Sequence, residues 1–347
     1  MSFSNRIFIY GPVGLLLALA AGMALLWKLE ADAFDAILER NNGREVVPGV
    51  AFAFAEKEIG GFPFRLDTVL HGVTFAVRTP DGEIAWRTET LALHALTYGG
   101  AQFVLEASGL QSLSWPNGET IRLLYVTPAL ARASARVEDG LLARFDLDLA
   151  NVTFGEGEPS AGTDIRARRA QFHLLPEDPG RLAFALKIED AEWGESYDPL
   201  LGRAMKQAIV RGTIENAQIF DPALSGTANF FGALDAWRKA GGVMRFDPVS
   251  LSWGGVEVEI GGALTLDAAH APIGALTAMV ARYDVLIAAA QRRGALSETD
   301  AALASALADA VAGFSGDPKR RLGLPIMLDQ GAILIAGAPV AAIGPLY

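Results

Sequence analysis

The sequence contains no cysteine, which excludes a disulfide framework, thiolate chemistry and cysteine metal ligation. Histidine is scarce as well. His71, His94, His173 and His270 stand far apart, none with an i, i+4 partner or an HExxH setting, so no metal site is expected. Basic side chains number 29 against 40 acidic ones, a formal net charge of −11. Nucleic acid is therefore not an expected partner, because neutralising phosphates needs clustered Lys and Arg. The same acidity disfavours adhesion driven by anionic lipid headgroups. No GxSxG elbow, P-loop or Rossmann glycine fingerprint occurs, which removes the commonest hydrolase and nucleotide-binding signatures. The expectation is a non-enzymatic protein without a cofactor. Since 51% of residues are hydrophobic and only 20% charged, the chain can build a core.

Charge is missing altogether from positions 7 to 27, IFIYGPVGLLLALAAGMALLW. As a helix rising about 1.5 Å per residue this stretch is roughly 31 Å long, enough for a hydrocarbon core of about 30 Å. Ile7, Leu16, Leu19 and Leu26 supply its apolar surface, and Tyr10 and Trp27 sit near its ends, where amphipathic rings favour the membrane interface. A cleavable signal peptide competes with this reading, because Ala18-Leu19-Ala20 fits the small-residue cleavage pattern. The apolar run continues through Met23, Leu25, Leu26 and Trp27, beyond a signal core of about 7–15 residues, and so favours an uncleaved anchor. Residues 1–28 thus read as a single-pass inner-membrane anchor, 29–48 as a helical stalk bearing Phe34, Ile37 and Leu38, and 49–347 as an elongated β-rich periplasmic domain.

After Pro48 the hydrophobic period becomes two. Phe52 and Phe54, Phe62 and Phe64 around Pro63, Val73 with Phe75, and Ile84 with Trp86 form successive rows, with a turn at Pro80-Asp81-Gly82. Further on, Phe145, Leu147 and Leu149 alternate with Arg144, Asp146 and Asp148, and Phe184, Leu186 and Ile188 with Lys187 and Glu189. Such strands have one dry and one wet face, so Asp146 with Asp148, and Glu257 with Glu259, read as solvated pairs rather than catalytic acids. Arg166, Arg168 and Arg169 lie near Glu156, Glu158 and Asp164 and suggest a salt-bridged edge. Asp198-Pro199 followed by Leu201, Met205 and Ile209 predicts a helix, and Leu234 with Trp237 a shorter one. Val256, Val258, Ile260, Leu264 and Leu266 give the clearest strand signal. From Pro272 the period reads as helical, through Leu276, Val280, Tyr283 and Ile287. A Ser297–Asp300 capping pair then opens a second helix striped by Leu303, Leu307, Val311 and Phe314, giving a helical hairpin over about 272–314. The expected fold is mainly β (α+β): one transmembrane helix, then an extended curved antiparallel sheet with an inserted C-terminal helical hairpin.

The anchor ending in Trp27, the Gly61-Phe62-Pro63-Phe64-Arg65-Leu66 segment, Ala240-Gly241-Gly242 leading into Val249-Ser250-Leu251-Ser252-Trp253-Gly254, and Gly262-Ala263-Leu264-Thr265-Leu266-Asp267 resemble an envelope family of Gram-negative bacteria catalogued as Domain of Unknown Function 2125. Its strand style is similar to that of AsmA-like envelope proteins. The resemblance implies a long curved sheet with a greasy inner face, and no assigned activity. Phe52, Phe54, Phe62, Phe64, Phe75 and Trp86 are then the candidates for a lipid groove on the first strands. Two readings stay open. One is a groove that binds or shields phospholipid or another amphiphile; the other is a closed core in a scaffold that docks an envelope protein partner, on the helical hairpin or around Ala301 to Ala310. An enzyme assembled from distant carboxylates and histidines is a third.

Overall fold

The computed structural model describes residues 4–79, 82–96, 101–118, 120–157, 164–178, 180–314, 317 and 320–346, with the side chains of 4–15, 17 and 96 outside the description. Pro80, Asp81, Glu158 and Tyr347, and the side chains of Ile7 and Tyr10, therefore lie outside the described residues.

Among the described residues eighteen strands form one antiparallel sheet, and nearly every strand pairs with the next one in sequence. Two places depart from a simple meander. Val50–Ala53 and Glu56–Gly60 together line one side of Arg65–Thr79, and Thr120–Thr127 and Leu130–Glu138 share the gap between Ala101–Asn117 and Leu141–Glu156. Side-chain alternation survives several register shifts. Gly72 (φ +62°) interrupts the alternation of Arg65–Thr79, so Thr68 and Leu70 before it and Val73 after it are all buried.

Helices attach to this sheet at three places. Ser4–Asn41 is one continuous helix that passes through the expected stalk, and it lays Phe34 and Leu38 against Phe52, Phe54, Leu70, Val73 and Leu91. The remaining stalk residues make the short strand Arg44–Val47. Among the described residues no helix is long and apolar enough to cross a membrane. Between the strands Ala204–Glu215 and Met244–Trp253, a helical connection ends in Phe230–Lys239, where Trp237 packs on Phe220 and Ala233. Asn229 caps that helix, its Oδ1 accepting from Phe231 N at 2.9 Å and Gly232 N at 3.3 Å. Tyr283–Arg292 and Glu298–Phe314 form the hairpin, and Ser297 Oγ accepts from Asp300 N at 3.1 Å, as the capping pair required.

Two helix expectations are corrected. Residues 204–215 are strand, since Ala204–Glu215 pairs on both sides. Met205 and Ile209, which the expected stripe joined, lie on opposite faces: a register shift between Met205 and Gln207 puts Met205 with Ala208 on the apolar face, while Ile209 pairs with Lys187 and Ser250 on the other. Pro272–Ala281 is also strand, so the hairpin starts at Tyr283 and not near 272. Leu276 and Val280 are four apart, a spacing that fits a period of two as well as 3.6. The second helix also faces the opposite way from its predicted stripe. Ala301, Ala308 and Ala312 are buried against the sheet, and Leu303, Leu307, Val311 and Phe314 are exposed. Small side chains let this helix approach the strands closely, leaving its larger ones outward.

Leu70, 4% exposed under the N-terminal helix, tests that packing. Leu70→Ala is expected to lower unfolding free energy by about 2–5 kcal/mol, read from urea denaturation.

Candidate functional site

Residues directly opposite on neighbouring strands share a face, so the strand pairings trace rows across the sheet. One row runs Leu66, Ala95, Phe103, Ala135, Phe145, Leu174, Phe184, Gly212 and Phe246. A second, parallel to it, runs Leu105, Ala133, Leu147, Phe172, Leu186 and Val210. Phe145 meets Phe172 edge-on at 6.4 Å, and Phe184 meets Phe246 at 6.0 Å across the intervening strand. Gly212 makes the latter contact geometrically feasible, because a Cβ there would lie 2.8 Å from Phe184 Cζ and 2.1 Å from Arg245 O. Phe145, Leu147, Phe172, Leu174, Phe184, Leu186, Val210 and Phe246 are only partly buried, and none belongs to the four packed core clusters among the described residues. Helices cover the ends of the apolar face; in the middle, Val152, Ala167, Ala170, Ala191 and Met205 are buried among strand side chains, and beside them the two rows stay only partly buried, with no helix over them among the described residues.

The residues singled out from the sequence fall elsewhere. Phe52 and Phe54 are buried beneath the N-terminal helix, and Phe75 and Trp86 pack on the same cluster. Ring distances of 4.8 Å for Phe52–Phe75 and 5.8 Å for Phe75–Trp86 make this a core stack rather than an open surface. Phe62 and Phe64 lie in the turn between Glu56–Gly60 and Arg65–Thr79, not in a strand, and are 56% and 51% exposed. Pro63 lacks the donor a strand ladder would need there. Of the anchor positions, Leu16, Leu19 and Leu26 are exposed, while Trp27 contacts Phe62. The rows of the open stretch were legible as dry strand faces around Phe145 and Phe184. Nothing in their periodicity told whether a helix covered them.

The opposite face carries the charges, cross-linked strand to strand. Asp148 accepts two bonds from Arg169, at 2.8 and 2.7 Å, and Asp146 is held by Arg144 at 2.6 Å and by His173 Nδ1 at 2.6 Å. Glu106 pairs with Arg132, Glu259 with Arg321, and Arg65 with Asp67 at 2.8 Å, which also meets His94 Nδ1 at 2.7 Å. The basic cluster is salt-bridged, though not to the predicted acids: Arg168 binds Glu189 and Asp190, whereas Glu156 pairs with Arg122. Ser134 Oγ approaches the Asp146 carboxylate at 3.5 Å instead of the His173 imidazole, so this triplet does not set a hydroxyl against a base. No group of three or more potential metal ligands occurs among the described residues.

A model of a bacterial family described as an uncharacterised conserved protein, DUF2125, matches residues 27–344. The chain belongs to this family. No curated protein and no solved structure matches it significantly. The matched DUF2125 span includes Trp27, the exposed Phe62–Phe64 turn and both rows of the open stretch.

The charged face of this DUF2125 chain also sets its acid response. Bonds from Arg144 and then His173 hold Asp146 below its ordinary value of 3.8, and the Arg169 fork does the same for Asp148. A depressed carboxylate stabilises the fold above the unfolded value and loses that contribution as pH falls through the folded one. Stability at neutral pH should therefore decline below about pH 4. Asp148→Asn should flatten that decline in thermal melts recorded from pH 6 downward, at the cost of a lower melting temperature at neutral pH.

Proposed function

We propose that this chain is a membrane-anchored protein of the bacterial envelope that holds an acyl chain or similar amphiphile on the open middle of its sheet, without catalysing a reaction. The single observation behind this reading is the pair of aromatic and aliphatic rows that no helix covers among the described residues. From Leu141–Glu156 to Met244–Trp253 there are four inter-strand steps, which at about 4.8 Å each extend the rows over roughly 19 Å. An apolar strip of that length is larger than the scattered hydrophobes of an ordinary surface and needs a cover. An extended hydrocarbon chain fits a strip two side chains wide, and such a ligand asks for no specific polar partner along its length. The uncharged run 7–27 supplies the anchor in this reading, with the sheet on the periplasmic side of the inner membrane.

A second reading has its own observation. Leu303, Leu307, Val311 and Phe314, the last 92% exposed, form an outward ridge on Glu298–Phe314, and a scaffold would dock a protein partner there.

Native mass spectrometry with lipid extraction separates them, using the fragment from Leu29 onward purified gently from an exporting host. Phe34 and Leu38 remain in that fragment to cover the first strands. A near-stoichiometric phospholipid or other amphiphile is expected, and Leu147→Glu or Leu186→Glu should remove it while the far-UV circular dichroism spectrum stays unchanged. A ligand-free, stable monomer would sink the groove reading.

A further inference from the structure

The turn between Glu56–Gly60 and Arg65–Thr79 places two phenylalanines, Phe62 and Phe64, more than half exposed at one end of the sheet. The turn is built to hold them out. Arg65 N donates to Gly61 O at 3.0 Å, and Gly61 adopts φ +96°, where an added Cβ would lie 2.6 Å from Arg65 O. It is also fastened to the helix that carries the uncharged run. The Trp27 ring meets Phe62 edge-on, with centroids 5.6 Å apart and planes at 87°, and Trp27 Nε1 donates to Arg65 O at 2.7 Å. Trp27 is the last residue of that run, and the next residue, Lys28, is largely exposed and paired with Asp32. An apolar helix end, the Trp27–Phe62 ring contact with a second exposed phenylalanine in the same turn, and the exposed cationic side chains of Lys28 and Arg65 nearby make the arrangement that of a membrane interface.

The position of this turn relative to the open rows gives it a role. Leu66 follows Arg65 directly, and it begins the row that continues through Ala95 and Phe103 to Ala135, Phe145, Leu174 and Phe184. The exposed aromatics therefore stand where the apolar row comes closest in sequence to the end of the anchor helix.

We infer that the Gly61–Phe64 turn dips into the outer surface of the same bilayer that holds the N-terminal helix, with Phe62 and Phe64 as its wedge, and thereby sets the Leu66 end of the apolar row at the lipid surface. The inference rests on the reading of residues 7–27 as a membrane segment. The partner is the apolar interior of the leaflet and not its charge, because the chain is acidic overall and the turn itself carries no charged side chain. Hydrocarbon entering the sheet from the leaflet would then meet Leu66 first, without crossing water.

The absence of native cysteine makes the test direct. The full chain is reconstituted into vesicles of phosphatidylethanolamine and phosphatidylglycerol with one nitrobenzoxadiazole-labelled cysteine at a time, as Phe62→Cys, Phe64→Cys, Leu16→Cys and Ile121→Cys. Leu16 lies within the uncharged run, and Ile121, 77% exposed, lies on the distant strand Thr120–Thr127. Quenching is measured with lipid-borne nitroxides and with aqueous iodide. Labels at 62, 64 and 16 are expected to be quenched several-fold more by the lipid-borne quencher than the label at 121, which iodide should reach freely. If position 16 is lipid-quenched while 62 and 64 respond only to iodide, the anchor reading stands and the wedge is overturned. If position 16 responds to iodide, the anchor reading fails and the wedge falls with it. Two separate wedge labels keep the outcome readable should one substitution disturb folding.

Discussion

Sequential antiparallel pairing is the constraint on which the rest of this molecule depends. Because nearly every strand finds its partner next along the chain, the sheet grows by addition, and among the described residues no crossover brings a second layer of strands over either face. A single sheet has two large faces, and each must be reconciled with its surroundings. One is made wet by cross-strand ion pairs such as Asp148–Arg169 and Glu106–Arg132, whose individual contribution in water is small but whose presence keeps that face from collapsing onto another sheet. The other is mainly apolar, and its cover comes from helices at its ends and, around Val152 and Ala167, from strand side chains packed on one another.

The helices cover it incompletely, and the reasons are local. The N-terminal helix reaches only the first strands, where Phe34 and Leu38 complete the cluster around Leu70 and Val73. The hairpin Tyr283–Arg292 and Glu298–Phe314 lies over Val256, Ala278 and Val280 near the other end, drawn close by its alanines. Trp237, whose Nε1 donates to Glu215 O at 2.6 Å, fixes a third helix beside Phe220 and Ile214. What remains is the stretch from Phe145 to Phe246, where Phe184 folds over Gly212 to reach its neighbour instead of rising into a layer above.

The fold class was legible in the sequence because alternation is a property of single strands: Val256, Val258 and Ile260 needed no knowledge of their neighbours to read as a strand. Helix and strand were confused where the spacing served both, as at Leu276 and Val280, and at Met205 and Ile209, which are four apart but which a bulge sends to opposite faces of the sheet. The site was less legible for a different reason. Parity tells which side chains are dry, and it put Phe52, Phe75, Phe145 and Phe184 in the same class. Whether a dry face is core or groove depends on what packs above it, which is a contact between elements distant in sequence. The first candidates, Phe52, Phe54, Phe75 and Trp86, lie under a helix that the sequence presented as a stalk standing apart from the sheet.

That same helix links the two halves of the functional reading. A stalk standing apart would leave the sheet free to turn about the end of the uncharged run. Here the helix is unbroken from Ser4 to Asn41 and clamped along its second half, by Phe34 and Leu38 on the apolar face and by Lys57 pairing with Asp35 and Glu39. Asn42 then closes the junction, its side chain bonding both N and O of Phe54. The second half of the helix is consequently held to the first strands by apolar packing, ion pairs and hydrogen bonds together. That junction also fixes which end of the sheet lies beside the uncharged run: Trp27, the last residue of the run, meets Phe62 in the turn that leads into Leu66.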